Sequence, residues 1–98
     1  MAQAKEAMET TVEVRGAVTE VRILDLREES DSYDVCLVVK GEDDLRYECH
    51  RWARDLGPCV DTVTKAFVAG AVTVQGALMK ADKGVVSVEM NSWKPAKA

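Results

Sequence analysis

The residues best suited to chemistry lie together in the segment from Leu45 to Trp52. This segment holds the single histidine of the chain, His50, directly after Cys49. Neighbouring side chains of a strand point to opposite faces, so these two residues could not easily share a metal ion. The three cysteines are an odd number without CxxC spacing, which fits reduced thiols inside a cell better than disulfides. Because no base is evidently placed beside a nucleophile, we predict that the protein is not an enzyme and needs no metal or cofactor.

The outward face predicted for this segment is better suited to binding than to catalysis. Arg46, His50 and Trp52 fall on one side of it, and single-stranded nucleic acid is held by aromatic stacking beside basic groups. Trp52 or His50 could instead pack under a helix or loop, and Trp93 could cover a barrel end, contact a partner subunit or stack a base. The candidate nucleic-acid contacts are the rings of Trp52, His50 and Trp93 and the cations Arg15, Arg22, Lys40, Arg46, Arg51, Lys80 and Lys83.

The net charge of the chain argues against nucleic-acid binding, whereas the distribution of its charges permits it. The 98 residues carry a net charge of −4, whereas nucleic-acid-binding domains usually show a basic surface. Residues 1–45 hold 5 basic and 12 acidic side chains, and residues 46–98 hold 8 basic and 5 acidic ones. A local basic surface can therefore coexist with an acidic whole. No apolar run approaches the roughly 20 residues of a membrane span, and the N-terminus lacks the apolar core of a secretory signal, so we expect a cytoplasmic protein.

Alternating residue types predict strands, and turn-forming residues separate them. The first strand begins at Thr11, and its phase slips after Glu20, which is typical of a bulged and bent strand. Residues 28–32 are predicted to form a polar loop. Further strands are predicted at residues 33–40, 45–52, 71–79 and 85–90.

Between the third and fourth strands the apolar spacing becomes that of a helix, over about Pro58 to Ala69, with Gly70 as its C-terminal cap. Val60, Val63 and Phe67 form an apolar stripe on this helix, so we expect Phe67 in the core.

Strands before and after a single helix predict an all-β fold, a five-stranded OB-fold barrel with one short helix between strands 3 and 4. We expect a flexible N-terminal tail over residues 1–10, an OB-fold domain over residues 11–93 and a C-terminal tail over residues 94–98.

One stretch of the chain also resembles a known family. Residues 48–80, ECHRWARDLGPCVDTVTKAFVAGAVTVQGALMK, are similar to the middle of bacterial single-stranded DNA-binding proteins and their short primosomal relatives. In that family a strand closing on an aromatic residue, here Trp52, leads into a helix and then into a V-x-V-x-G-x-L strand, here Val72 to Leu78. The resemblance covers roughly residues 11–93. It implies an OB fold, sequence-tolerant single-strand binding and assembly into dimers or tetramers through the sheet.

These observations together predict a non-catalytic OB-fold protein that binds single-stranded nucleic acid, DNA rather than RNA, by base stacking and phosphate contacts. We expect a homodimer or homotetramer, with further protein partners possible and no membrane association. The alternative is a protein–protein interaction module of the same fold, a subunit of a larger complex that does not bind nucleic acid. In that case exposed valines such as Val38 would form the interface.

Overall fold

A computed structural model describes residues 10–96; residues 1–9, which make up most of the predicted N-terminal tail, and residues 97–98 lie outside the described part. Two helices are described, a single turn α1 (Arg27–Ser30) and the longer α2 (Leu56–Ala69). The strands are β1 (Thr11–Asp25), β2 (Tyr33–Gly41), β3 (Arg46–Ala53), β4 (Ala71–Asp82) and β5 (Val85–Pro95).

The five strands close into a barrel in the order β1-β2-β3-β5-β4. Within residues 10–96, β3 and β5 run parallel and the other neighbouring pairs run antiparallel. With α2 between β3 and β4, this is the OB-fold architecture that the residue pattern predicts. Helix α2 connects β3 to β4, which are not neighbours in the barrel because β5 lies between them.

The long first strand serves two neighbours, which makes barrel closure possible. Its beginning pairs with β4 and its later part with β2, and the β2 register shifts between Val18 and Glu20. The predicted bulge is therefore confirmed, with Thr19 as the extra residue. Gly16 lies where β1 pairs with both of its neighbours, opposite Gly41 of β2 and Val72 of β4. A Cβ atom there would come 2.0 Å from the carbonyl oxygen of Lys40. The absence of a side chain at this position lets the backbones approach closely.

Valines and small residues fill the inside of the barrel. Leu37, Val39, Cys49, Val74 and Val88 have no exposed surface and belong to one cluster. A smaller cluster of Tyr33, Val35 and Cys59 lies under α2. The alternation of inward side chains along β2 and β3 is as predicted.

Helix α2 packs on the barrel through a narrow face. Cys59 and Ala66 are its buried residues, and the Gly70 N–H donates to the Ala66 carbonyl in a C-terminal cap with a φ of 77°. The prediction that Phe67 belongs to the core is wrong, because its side chain is 66% exposed. The two small residues let the helix lie close to the barrel, which turns the bulky side of the stripe towards solvent.

Several boundaries differ from the predicted ones, among them the end of β4, which lies at Asp82 and not at residue 79. Strand β5 continues to Pro95 instead of ending at Met90, because its C-terminal half still pairs with β4, as far as Val72 opposite Pro95. Helix α2 begins two residues earlier than predicted, at Leu56. The predicted loop after β1 contains the helical turn α1, in which the Ser30 N–H donates to the carbonyl of Leu26.

Candidate functional site

The candidate site lies on the outer face, which we define as the outward side of β1, β2 and β3. Strand register places its side chains in cross-strand rows. The rows are Leu24–Asp34–Trp52, Arg22–Cys36–His50, Glu20–Val38–Glu48 and Lys40–Arg46. The face therefore carries three cations and three carboxylates, apart from His50, and it is close to neutral.

An aromatic platform stands at the α2 end of this face. The rings of His50 and Trp52 lie nearly parallel, 13° apart, with their centroids separated by 5.8 Å. They are two residues apart on β3, so alternation places both side chains on the outer face. Trp52 is 41% exposed, and it is therefore not packed beneath a helix or loop. Its ring is open to a planar ligand.

Asp34 fixes the orientation of the histidine. Its two carboxylate oxygens lie 3.0 and 3.2 Å from His50 Nδ1, and both side chains are mostly buried. The carboxylate favours a proton on Nδ1, which would then donate to Asp34. The imidazole is thus held in place against the Trp52 ring by a neighbouring strand, and the platform is preorganised.

A small recess opens beside the platform. Its volume is about 290 Å³, and Arg22, Ile23, Leu24, Asp34, Cys36 and His50 line it. Leu24 is 57% exposed at its edge. This volume lies just below the usual range for ligand sites, roughly 300 to 1,000 Å³. The recess therefore has room for a single planar ring system next to His50.

The two arginines of the outer face are engaged by carboxylates. Arg22 lies 3.1 Å from Glu20 and 3.7 Å from Glu48, and Arg46 lies 3.8 and 3.1 Å from the same two carboxylates. Together these four side chains form the charged cluster, a closed ring of alternating charge. Each exposed ion pair is worth roughly 0–1 kcal/mol. The cluster's effect is to neutralise both arginines where phosphates were expected to bind.

Beneath the charged cluster the outer face is apolar. Val38 is 1% exposed and Cys36 is 2% exposed, although both point outward from β2. The prediction of an exposed Val38 is wrong, because the long stems of the arginines and glutamates on the neighbouring strands cover it. Val38 is therefore not available as an interface residue.

The pairing of strands brings Cys36 directly opposite His50. This resembles the juxtaposition of a nucleophile and a base, with Asp34 orienting the base. Burial, however, raises the pKa of the Cys36 thiol to about 11, although Arg22 donates to its sulfur at 3.6 Å. A thiol in this environment stays protonated and is a poor nucleophile. In the described part of the chain, no group of three or more histidine, cysteine, aspartate or glutamate side chains is arranged to hold a metal ion.

Apart from Lys40, the remaining predicted contacts of this group lie outside the outer face. Lys40 pairs with Asp44 at 3.5 Å, and Arg51 lies on the side of β3 opposite to His50. Lys80 and Lys83 belong to the β4–β5 hairpin, whose turn is next to β3, since the Arg46 N–H donates to the carbonyl of Gly84. Among residues 10–96, Arg51, Lys80 and Lys83 take part in none of the ion pairs.

Two predicted residues lie away from the platform. Trp93 pairs with Val74 on β5 and β4, and it packs against the barrel core. Arg15 lines a second, wider groove of about 870 Å³ together with Lys94 and the carboxylates of Glu13, Glu42 and Asp43. The structure therefore brings Arg22, Lys40, Arg46, His50 and Trp52 together in the cross-strand rows of the outer face, whereas Arg15 and Trp93 lie outside these rows.

The residues of the candidate site that are missing from the sequence-based set are Leu24, Asp34, Glu20 and Glu48. Asp34 lies within the predicted second strand, but alternation alone does not show which residue of β3 it faces. An acidic residue two strands away from Arg46, such as Glu20, leaves no local pattern in the sequence.

Comparisons with family models and with curated proteins identify no relative of the chain. No protein-family model matches the chain, and no curated protein matches it. In the described part of the chain, none of the helices is both long and apolar enough to cross a membrane.

Proposed function

We propose that the chain is a non-catalytic OB-fold protein that binds single-stranded nucleic acid on the outer face. The observation that carries this proposal is the exposed Trp52 ring, held parallel to His50 beside a recess of base size. An unpaired base has two open faces and can stack on such a platform, whereas a base within a duplex cannot. The protonated Cys36 thiol supports a binding role over a catalytic one.

The charged cluster shapes how such a protein would bind. Because Arg22 and Arg46 are matched by Glu20 and Glu48, phosphates would be contacted mainly by Lys80 and Lys83 of the nearby hairpin. Each phosphate contact on a single strand changes the slope of log K against log salt by about −0.7. With two such contacts we expect a shallow slope of about −1.4, so stacking supplies most of the affinity.

The resemblance to bacterial single-stranded DNA-binding proteins favours DNA over RNA as the ligand. The three buried free thiols fit a reducing, cytoplasmic location. Neither the preference for DNA nor the cytoplasmic location depends on which bases the ligand carries, because stacking accepts every base.

The proposal is tested with a fluorescently labelled single-stranded oligonucleotide of mixed sequence, titrated with protein and followed by anisotropy at low salt. Trp52→Ala should weaken binding by roughly 5- to 150-fold, the equivalent of the 1–3 kcal/mol lost with a stacked base. Trp93→Phe is the matched control, since Trp93 packs against the core, and it should bind like wild type. Equal binding by Trp52→Ala and wild type would refute the proposed site.

The charged cluster provides a second test of the same site. Glu48→Gln removes one of the two carboxylates that both arginines share, without changing the size of the side chain. We expect tighter oligonucleotide binding and a steeper salt slope, because Arg22 and Arg46 then keep only Glu20 as a carboxylate partner and are less fully neutralised. Unchanged affinity and slope would show that nucleic acid does not approach this face.

A protein–protein interaction module is the second candidate function. It is favoured by the neutral outer face and by the exposed apolar residues Leu56, Val60 and Phe67 on α2. The two candidates differ in one result. The interaction module predicts no binding of single-stranded oligonucleotides by the wild-type protein even at low salt.

A further inference from the structure

The recess beside the aromatic platform has walls on two strands and a floor on a third. His50 of β3 forms one wall, and Arg22 and Leu24 of β1 form the other. Asp34 and Cys36 of β2 lie between them as the floor. Neighbouring strands are about 4.8 Å apart, so the two walls rise from backbones roughly 10 Å apart. A planar ring that enters the recess would rest one face on the imidazole and turn one edge towards the floor.

One end of the floor offers a hydrogen-bond acceptor. The Asp34 carboxylate is mostly buried, and in the described part of the chain its only hydrogen-bond donor is Nδ1 of His50. An ionised carboxylate has about four acceptor sites, so most of its capacity is unused. Burial of a carboxylate is costly unless hydrogen bonds compensate it. The recess therefore favours a ligand that brings an N–H donor to Asp34.

The other end of the floor carries a hydrogen-bond donor. Nη2 of Arg22 donates to the sulfur of Cys36 at 3.6 Å, so the guanidinium lies at the Cys36 end of the floor. A guanidinium has five N–H donors, and the contacts of Arg22 with Cys36, Glu20 and Glu48 leave donors for a ligand. Asp34 and Cys36 are two residues apart on β2, so acceptor and donor are separated by roughly 7 Å along the strand. The guanidinium also disfavours a cationic ligand, such as a lysine or arginine side chain of a protein partner.

We propose that the recess selects cytosine over thymine in a bound single strand. Cytosine has an amino group at one end of its pairing edge, which suits Asp34, and a carbonyl at the other end, which suits Arg22. Thymine has a carbonyl at both ends, so in either orientation one carbonyl faces the carboxylate. Adenine and guanine also carry amino groups, but a volume of about 290 Å³ favours the base with one ring. This inference rests on the proposed function and adds a base preference to it.

The test is fluorescence anisotropy on the full chain at low salt and about pH 8, with labelled single strands of about 12 nucleotides, enough for one OB-fold site. One strand contains only cytosine and the other only thymine, so both probes carry one-ring bases that differ in their edges. We expect the cytosine strand to bind about 5- to 30-fold more tightly, the lower part of the discrimination that one base contact supplies. Equal binding, or tighter binding of the thymine strand, would overturn the selection of cytosine.

Asp34→Asn tests the assigned acceptor. The amide keeps the size of the side chain but offers an N–H donor as well as an acceptor, so it can meet either base. We expect the two dissociation constants to come within about twofold of each other, whatever the loss of the contact with His50 does to both. Glu48→Gln is the matched control, because it makes the same change on the same face outside the recess. It should alter both affinities by the same factor, and a cytosine preference that survives Asp34→Asn would show that Asp34 does not read the base.

The two strands also separate this inference from the proposed function. If both bind equally and Trp52→Ala weakens both, single-strand binding on the outer face stands and the selection of cytosine falls. If neither strand binds, the proposed function falls and this inference falls with it. The ratio of the two wild-type affinities can overturn the selection by itself, so the test remains decisive even if Asp34→Asn fails to fold.

Discussion

Replacing Gly16 by alanine should destabilise the barrel. The Cβ atom added at this position would come 2.0 Å from the carbonyl oxygen of Lys40 and 2.8 Å from its carbonyl carbon. Both are backbone atoms of β2, so the contact cannot be relieved by a side-chain rotation. Strands β1 and β2 would have to move apart at the corner where β1 passes from one partner strand to the other.

The expected size of this effect follows from the kind of contact. Overpacking a well-packed site costs typically 1–3 kcal/mol, and the backbone nature of the obstacle places Gly16→Ala at about 2 kcal/mol or above. For a domain of this length, 2 kcal/mol corresponds to a fall in Tm of about 8–16 °C.

Urea unfolding followed by circular dichroism measures the loss, and Gly57→Ala is the matched control. A Cβ atom at Gly57 would meet nothing within 4 Å, and the residue lies in the first turn of α2. Alanine favours a helix over glycine by up to about 1 kcal/mol, so Gly57→Ala should be neutral or stabilising. The reasoning is refuted if Gly16→Ala unfolds within about 0.5 kcal/mol of wild type, the spread of ordinary surface substitutions.

Three further predictions concern the interior and one turn. Burial raises the pKa of Cys36 to about 11 and that of Cys49 to about 12. Iodoacetamide at pH 8 should therefore alkylate these two thiols only in urea. Rapid labelling of the native protein would contradict their burial. Val38→Ala, beneath the charged cluster, should cost about 1–3 kcal/mol in urea unfolding, whereas a surface valine would lose almost nothing. The Tyr47 hydroxyl, which donates to Asp43 at 2.6 Å, is the main cause of a lowered Asp43 pKa. The stabilisation from this bond is present above the pKa of Asp43 in the unfolded state and is lost as pH falls through its pKa in the folded state. Tyr47→Phe should therefore flatten the acid side of the plot of unfolding free energy against pH. An unchanged plot would count against the bond.

The strand pattern was readable from the sequence because the barrel has one apolar inside. Alternation of Leu37 and Val39 with outward residues, and the phase slip after Glu20, correspond to real faces and a real bulge. The glycine of the V-x-V-x-G-x-L pattern, Gly76, lies at a close approach of two strands, since a Cβ atom there would come 2.1 Å from the carbonyl oxygen of Glu89. Features of this kind are local, and each is recorded in a few neighbouring residues.

The features that were mispredicted depend on distant parts of the chain. Periodicity identifies the apolar side of α2, but the barrel packs on its edge, through Cys59 and Ala66, and leaves Phe67 exposed. Val38 alternates like an exposed residue and is buried by side chains from β1 and β3. The neutralisation of Arg46 by Glu20 joins two strands that are not neighbours in the barrel.

The most direct test of single-strand binding uses the fluorescence of Trp52 itself. The chain has two tryptophans, so a Trp93→Phe protein reports from Trp52 alone. It would be titrated with single-stranded and duplex oligonucleotides of the same mixed sequence, at low and at high salt. We predict quenching by the single strand and none by the duplex, with only a modest loss at high salt because stacking dominates. No change in Trp52 fluorescence with single strands at low salt would contradict the proposed function.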